Sequence, residues 1–159
     1  MTFTPGNIRW IKNTTNHLDP QVGAYMEHPS GTFNLRFPLD AHGNPPITNA
    51  SNPPQGELIL LRQMIKGIAH FSHLVTPIVD QAVPVLPGED PYPGAFRQVK
   101  TVAFAGAQLP VSATGWADVT RWGGMNMGNA ICLAHVTAIG DLGPRQEQIW
   151  EAFAPYWVV

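Results

Sequence analysis

The sequence predicts an α+β fold: a mixed β-barrel of about five or six short strands with one or two flanking helices, in a single domain over residues 1–159. Three observations carry this. The stretch 56–80, GELILLRQMIKGIAHFSHLVTPIVD, reads as two consecutive strands joined by a short turn at residues 64–67. Sixteen prolines and fifteen glycines cut the chain into short runs separated by turns. Helical spacing is clearest near the C-terminus, so adjacent strands lack the crossover helices that a βαβ sheet needs.

Taken in order, Ile8-Arg9-Trp10-Ile11 alternates and forms the first strand. Residues 13–17 supply turn formers, Asp19-Pro20 suits the start of a short helix, and 23–27 is irregular. His28-Pro29-Ser30-Gly31 reads as a turn. Residues 32–37 then alternate with Phe33, Leu35 and Phe37 on one face, the pattern of a half-buried strand. From 38 to 55 the composition shifts to Pro, Asn, Gly, Ser and Ala with no periodicity, which a compact domain tolerates as a functional or mobile loop.

In the central pair, Leu58-Ile59-Leu60-Leu61 is too short for a lone helix and is bounded by Gly56 and Lys66-Gly67, so it forms a buried strand. Strict alternation in the next strand places Ile68, His70, Ser72, Leu74 and Thr76 on one face. Ala69, Phe71, His73, Val75 and Pro77 fall on the other. Neither face is purely apolar, so one side is expected to approach solvent or a ligand. A second proline-rich connection covers 80–93, and 97–104 reads as a strand. Residues 116–122 fit one or two helical turns, GGMNMGN at 123–129 is a glycine-rich link, and 130–139 is the last strand. Pro144 suits a first helical position, and Ile149 with Phe153 gives the C-terminal helix its buried stripe.

Composition excludes several classes. A chain of 159 residues, 44% hydrophobic, can bury about two-thirds of its unfolded surface without metal or disulfide help. The single cysteine, Cys132, lies in the apolar run 130–136, where a buried packing role suits it; it allows no intramolecular disulfide and favours a reducing compartment. MTFTPGNIRWIKN has no long apolar core, and no stretch approaches the roughly 18 apolar residues of a membrane helix, so a cytoplasmic protein without a membrane partner is expected. Without a secretory signal, the glycosylation sequons at Asn13 and Asn49 carry no weight. With 13% charged residues and a net charge of -2, the protein is no basic coat for nucleic acid, and any such contact must be local. Five tryptophans and seven phenylalanines that need burial exclude a disordered chain.

His70 and His73 resemble a paired-histidine metal motif, but positions three apart on a regular strand point to opposite faces; no metal site and no cofactor are expected. The chain has no G-x-S-x-G elbow, H-E-x-x-H, P-loop or G-x-G-x-x-G, and Cys132 lies mid-strand rather than at a helix start. Acids such as Asp40, Glu57, Asp80, Glu89, Asp90, Asp118 and Asp141 follow no catalytic spacing, so the chain is not expected to be an enzyme. In GEDPYPG at 88–94 two prolines hold Tyr92 between them, presenting its ring at low entropic cost to a ligand or, equally, anchoring the loop on the barrel. Arg62 with Gln63 at a strand end, Arg97, Lys100 and Arg121 are cations or edge readers that could reach phosphates or bases, or stand as ordinary solvated residues. Trp116 and Trp122 could wall a site with the 123–129 link, or simply fill the core.

GELILLRQ followed by IAHFSHLVTPIVD resembles the strand pair of EVE-type and related PUA-like barrels, and CLAHVT at 132–137 is compatible with closing such a barrel. The resemblance spans about half of the chain and implies recognition of nucleic acid, often with an altered base or backbone. Tyr92-Pro93 before a strand is similar to the Tyr-Pro wall of DNA sulfur-binding domains, which hold a backbone phosphorothioate in an apolar pocket beside an arginine. Carried over, the resemblance implies that Tyr92 and Pro93 line the sulfur pocket, Ala95 or Phe96 completes it, Arg121 supplies the stem and charge, and Arg62 and Gln63 read adjacent bases, with Arg97 nearby. The chain departs from that pattern in having no conspicuous basic cluster around the pair, and no nuclease motif of its own.

The expected function is therefore a non-catalytic module that binds double-stranded DNA, phosphorothioated in its backbone, with a nuclease domain or subunit as a possible partner. The rivals are a reader that flips a modified base, a small β-rich enzyme using the 38–55 loop and the 123–128 link on a polar substrate, and a module whose loops dock a protein.

Overall fold

The computed structural model describes residues 2–14, 24–37, 53–80, 83–84, 95–116, 130–132 and 142–159. They form seven strands, β1 (Ile8–Asn13), β2 (Thr32–Phe37), β3 (Leu58–Ile65), β4 (Ile68–Pro77), β5 (Val83–Pro84), β6 (Ala95–Phe104) and β7 (Ala130–Cys132), and one helix, α1 (Leu142–Phe153). The sheet runs β2-β6-β4-β3-β1-β7, with β5 pairing β6 off that path. β1 lies parallel to β3, and every other pairing is antiparallel. The α+β class stands. Among the described residues no pairing joins β2 to β7, so the sheet is open and the expected barrel closure is absent from this part of the chain.

Several element bounds differ from the expectation. β3 continues through Ile65, because Ile65 pairs with Ile68 and leaves only Lys66-Gly67 as the loop. Arg62 and Gln63 thus sit inside β3, not at its end. The first strand extends past Ile11 to Asn13 along β3, and β6 starts at Ala95 rather than Arg97 because β2 and β5 both pair with its first residues. The irregular stretch before β2 contains a short 3-10 helix, Ala24–Glu27. α1 begins at Leu142, two residues before Pro144, which lies in its first turn. The expected turns and helix at 13–20 lie mostly outside the described residues, as do the loop 38–52 and the last strand beyond Cys132.

The alternation expected of β4 fails at one place. Leu61 pairs with His73 but Arg62 pairs with Phe71, so Ser72 is the extra residue of a β-bulge. A bulge resets the side-chain parity. Phe71 and Leu74, three apart, therefore join the same core cluster, whereas the regular pattern would have separated them. The parity objection to His70 and His73 sharing a site loses its premise here. Among the described residues, nonetheless, no three His, Cys, Asp or Glu side chains gather as a metal site would need.

The sheet has a buried cluster on each side. On one, Ile8, Ile11, Leu58, Leu60, Phe71 and Leu74 pack with Ile149 and Phe153 of α1, so the expected helical stripe is in place. Trp116 joins this core, its ring stacked on Phe71 at 4.4 Å between centroids. The Gln146 side chain ties α1 down by donating to the carbonyl of Ile8 at 2.9 Å. After α1 the chain crosses back onto the sheet, where the Val158 amide donates to the Val102 carbonyl at 3.0 Å. The other cluster holds Trp10, Tyr25, Phe33, Leu35, Ile59, Leu61, Val75 and Val99. Burying apolar surface on both faces explains why Leu58-Ile59-Leu60-Leu61 is a continuous apolar run rather than an alternating one.

Candidate functional site

Buried polar side chains form two neighbourhoods, one within the second cluster and one at the start of β6, where they lie on both faces of the sheet. The first is a chain of hydrogen bonds at the bulge. His73 is fully buried. Its Nε2 lies 3.2 Å from the carbonyl of His28, an atom that can only accept, so Nε2 carries the proton and Nδ1 is the acceptor. The Ser72 hydroxyl, 2.7 Å from Nδ1, must then donate to it. That leaves the Ser72 oxygen to accept from the side-chain amide of Gln63, whose Nε2 points at it. The tautomer of one histidine thereby sets the direction of every bond in the chain.

The same logic leaves Gln63 Oε1 buried with no hydrogen-bond partner among the described residues. An unsatisfied buried acceptor costs about 1–3 kcal/mol. The carbonyl of His28 also accepts from the Thr101 hydroxyl at 3.1 Å, so the 3-10 turn before β2 is pinned to β4 and β6 at once. Phe33 and Phe104 flank the His73 ring at 5.8 and 4.8 Å between centroids, and the His28 ring stacks on Phe33 at 4.8 Å. Burial pushes the His73 imidazole down to about 4, outweighing its hydrogen bonds to the backbone of His28 and Tyr25, and the charge of His28 adds to the depression. Ser72, His73 and the His28 carbonyl stand in hydrogen-bond order like a nucleophile, its base and the group that orients the base. Ser72 and His73 are both fully buried, so in this conformation no substrate reaches the hydroxyl and the chain of bonds acts as a structural tie.

The second neighbourhood is the start of β6. Phe96 pairs with Arg36 of β2, and Arg97 pairs with Leu35. Arg97 is 1% exposed, and its Nε and one terminal nitrogen donate to the carbonyl of Val79 at 3.0 and 2.7 Å. Burial lowers its guanidinium from the usual arginine value, and the nearby Asp80 carboxylate partly restores it. Arg36 is 8% exposed, and its backbone amide donates to the Tyr25 hydroxyl at 3.0 Å. In an antiparallel pair, directly opposed residues share a face, so Arg36 is the cation beside the half-buried Phe96, while Arg97 points with Leu35 into the layer beneath.

Among the described residues, the expected site residues divide between β3, which carries Arg62 and Gln63, and the start of β6, which carries Ala95, Phe96 and Arg97. Gln63 and Arg97 are interior, committed to Ser72 and Val79, and their side chains present no edge to a duplex in this conformation. Arg62 is half-buried, with one guanidinium nitrogen donating to Asn13 Oδ1 at 3.2 Å. Phe96 is in place at the start of β6, Ala95 lies in the strand beside it, and Tyr92, Pro93 and Arg121 lie outside the described residues. Sequence reasoning missed Arg36. Its signal was available in the alternation of 32–37, which sets Asn34 and Arg36 opposite to Phe33 and Leu35, but only the β2–β6 register brings it to Phe96.

No helix among the described residues is long and apolar enough to cross a membrane. Comparison with known proteins gives no match: no protein-family model, no curated protein and no solved structure is similar to this chain.

Proposed function

We propose that the chain is a PUA-like barrel module that binds double-stranded DNA and reads a modified backbone, specifically a phosphorothioate. The observation that supports this reading is the pairing of Arg36 with Phe96 at the start of β6, the strand into which Tyr92 and Pro93 lead. A ring beside a guanidinium is the chemistry that a thiophosphate needs. Sulfur is larger, more polarisable and less strongly hydrated than oxygen, so an apolar wall accepts it while penalising the phosphate oxygen it replaces. The cation balances the charge that sulfur shares with the remaining oxygens. In this assignment Tyr92, Pro93, Ala95 and Phe96 form the wall, and Arg36 takes the charge-balancing role, with Arg121 as a second candidate. Any DNA cleavage is the work of a nuclease domain or subunit beyond these residues.

The test is a mobility-shift titration with three matched duplexes: unmodified, carrying an internal Rp phosphorothioate, and carrying a methylated cytosine. Binding of the sulfur duplex alone is the expected result. Tyr92→Ala and Phe96→Ala should each weaken that binding by about tenfold or more, as removal of a pocket-filling aromatic does. Preference for the methylated duplex would move the function to a flipped-base reader, and unchanged affinity in both alanine variants would remove the pocket.

A further inference from the structure

We infer that the β3–β4 turn is a second contact with DNA, in which Lys66 meets a backbone phosphate and Ile68 lies against the apolar sugar edge beside it. This rests on the reading that the chain binds duplex DNA. The turn is a two-residue loop closed by the pairing of Ile65 with Ile68. Both central residues have positive φ, 51° at Lys66 and 80° at Gly67, the pattern of a type I′ turn. That geometry favours Asn, Asp or Gly at its first position, because a Cβ in left-handed backbone crowds the following carbonyl. Among the described residues Lys66 is the only one other than glycine with positive φ. A strained position occupied by a long cation points to a use for the ammonium group.

The surroundings specify the partner. Ile68 is 55% exposed and Met64 36%, and the other large apolar side chains exposed to this degree among the described residues are at the C-terminus, Val158 and Val159. The hairpin from Leu58 to His70 contains no acidic residue in a protein whose net charge is -2. A turn with a cation, an exposed apolar side chain next to its glycine and no carboxylate matches a surface of phosphates and sugars. An acidic protein surface would meet the cation but leave Ile68 against water.

The substitution Lys66→Asn separates this role from a structural one, since it relieves the turn while removing the charge. The thermal midpoint should rise by about 3 °C. Affinity for the sulfur duplex and for any residual unmodified-duplex binding should fall by the same factor, about three- to tenfold at low salt, because a phosphate contact is blind to the modification. The slope of log affinity against log salt should become shallower by about one. Ile68→Ser should weaken binding without changing that slope. If the wild-type protein binds the sulfur duplex and Lys66→Asn binds it with the same affinity and slope, the turn contact is overturned while the β6 pocket stands. If the wild-type protein binds none of the three duplexes, both fall together.

Discussion

Acidification from pH 6.5 to pH 4 is expected to remove about 3 kcal/mol of folding stability through His73 alone. The folded imidazole is held down to about 4, against an ordinary value of 6.5. As the pH falls through 6.5 the unfolded chain takes up the proton and the folded chain does not, so the unfolded state gains. The contribution is therefore complete above pH 6.5, is lost across the window from 6.5 to 4, and is constant below. Protonation would also place a second proton on Nδ1, where the Ser72 hydroxyl already donates, and reverse the chain of bonds back to Gln63. Urea unfolding at pH 7.5, 5.5 and 4 should show this steep dependence in the wild-type protein and a shallower one in His73→Gln. Carboxylates contribute equally to both proteins, so the difference isolates the histidine. Should the variant fail to fold, nitrogen NMR of the wild-type ring gives the same answer: His73 should hold its proton on Nε2 and show no titration between pH 7 and 5. Titration near 6.5 would mean that the ring is not buried as described.

Phe71→Ala is expected to cost about 3–5 kcal/mol, the range for deleting a fully buried aromatic from a core that cannot collapse around it. Phe71 is completely buried and stacked on Trp116, and it shares the core beneath α1 with Leu74, Ile149 and Phe153. Ile68→Ala, three residues earlier in the same strand, should change stability by no more than about 0.5 kcal/mol because the side chain is 55% exposed. A regular strand would have put Phe71 with His73 and Val75, on the opposite face from Leu74. Chemical denaturation of the two variants tests the bulge directly, and a double-mutant cycle of Phe71→Ala with Trp116→Ala should return a coupling of about 0.5–1.5 kcal/mol for the stacked pair. Additive losses would place the two rings apart.

Much of the secondary structure was legible because its signals are local. The apolar run at 58–61, the alternation of 32–37 and the Ile149-Phe153 spacing each report a burial pattern within a few residues, and each forms the expected element. The candidate site was less legible. Gln63 and Arg97 have the side chains of DNA-reading residues, yet both are buried and bonded inside the sheet, and residue type alone does not reveal which face of which strand is covered. Arg36 was passed over for the converse reason: nothing within residues 32–37 indicates that Phe96 will lie opposite.

The α+β class, the strands of the central hairpin, the amphipathic C-terminal helix and a charge balance that is not basic are all written in composition and short-range periodicity. The parallel pairing of β1 with β3, the place of β6 between β2 and β4 and the bulge at Ser72 come instead from contacts between distant segments. Pairing partners separated by tens of residues are chosen by the fit of whole faces. The bulge, in turn, persists because resetting parity at one residue lets Phe71 and Leu74 reach the helix-covered core while His73 turns to the carbonyl of His28.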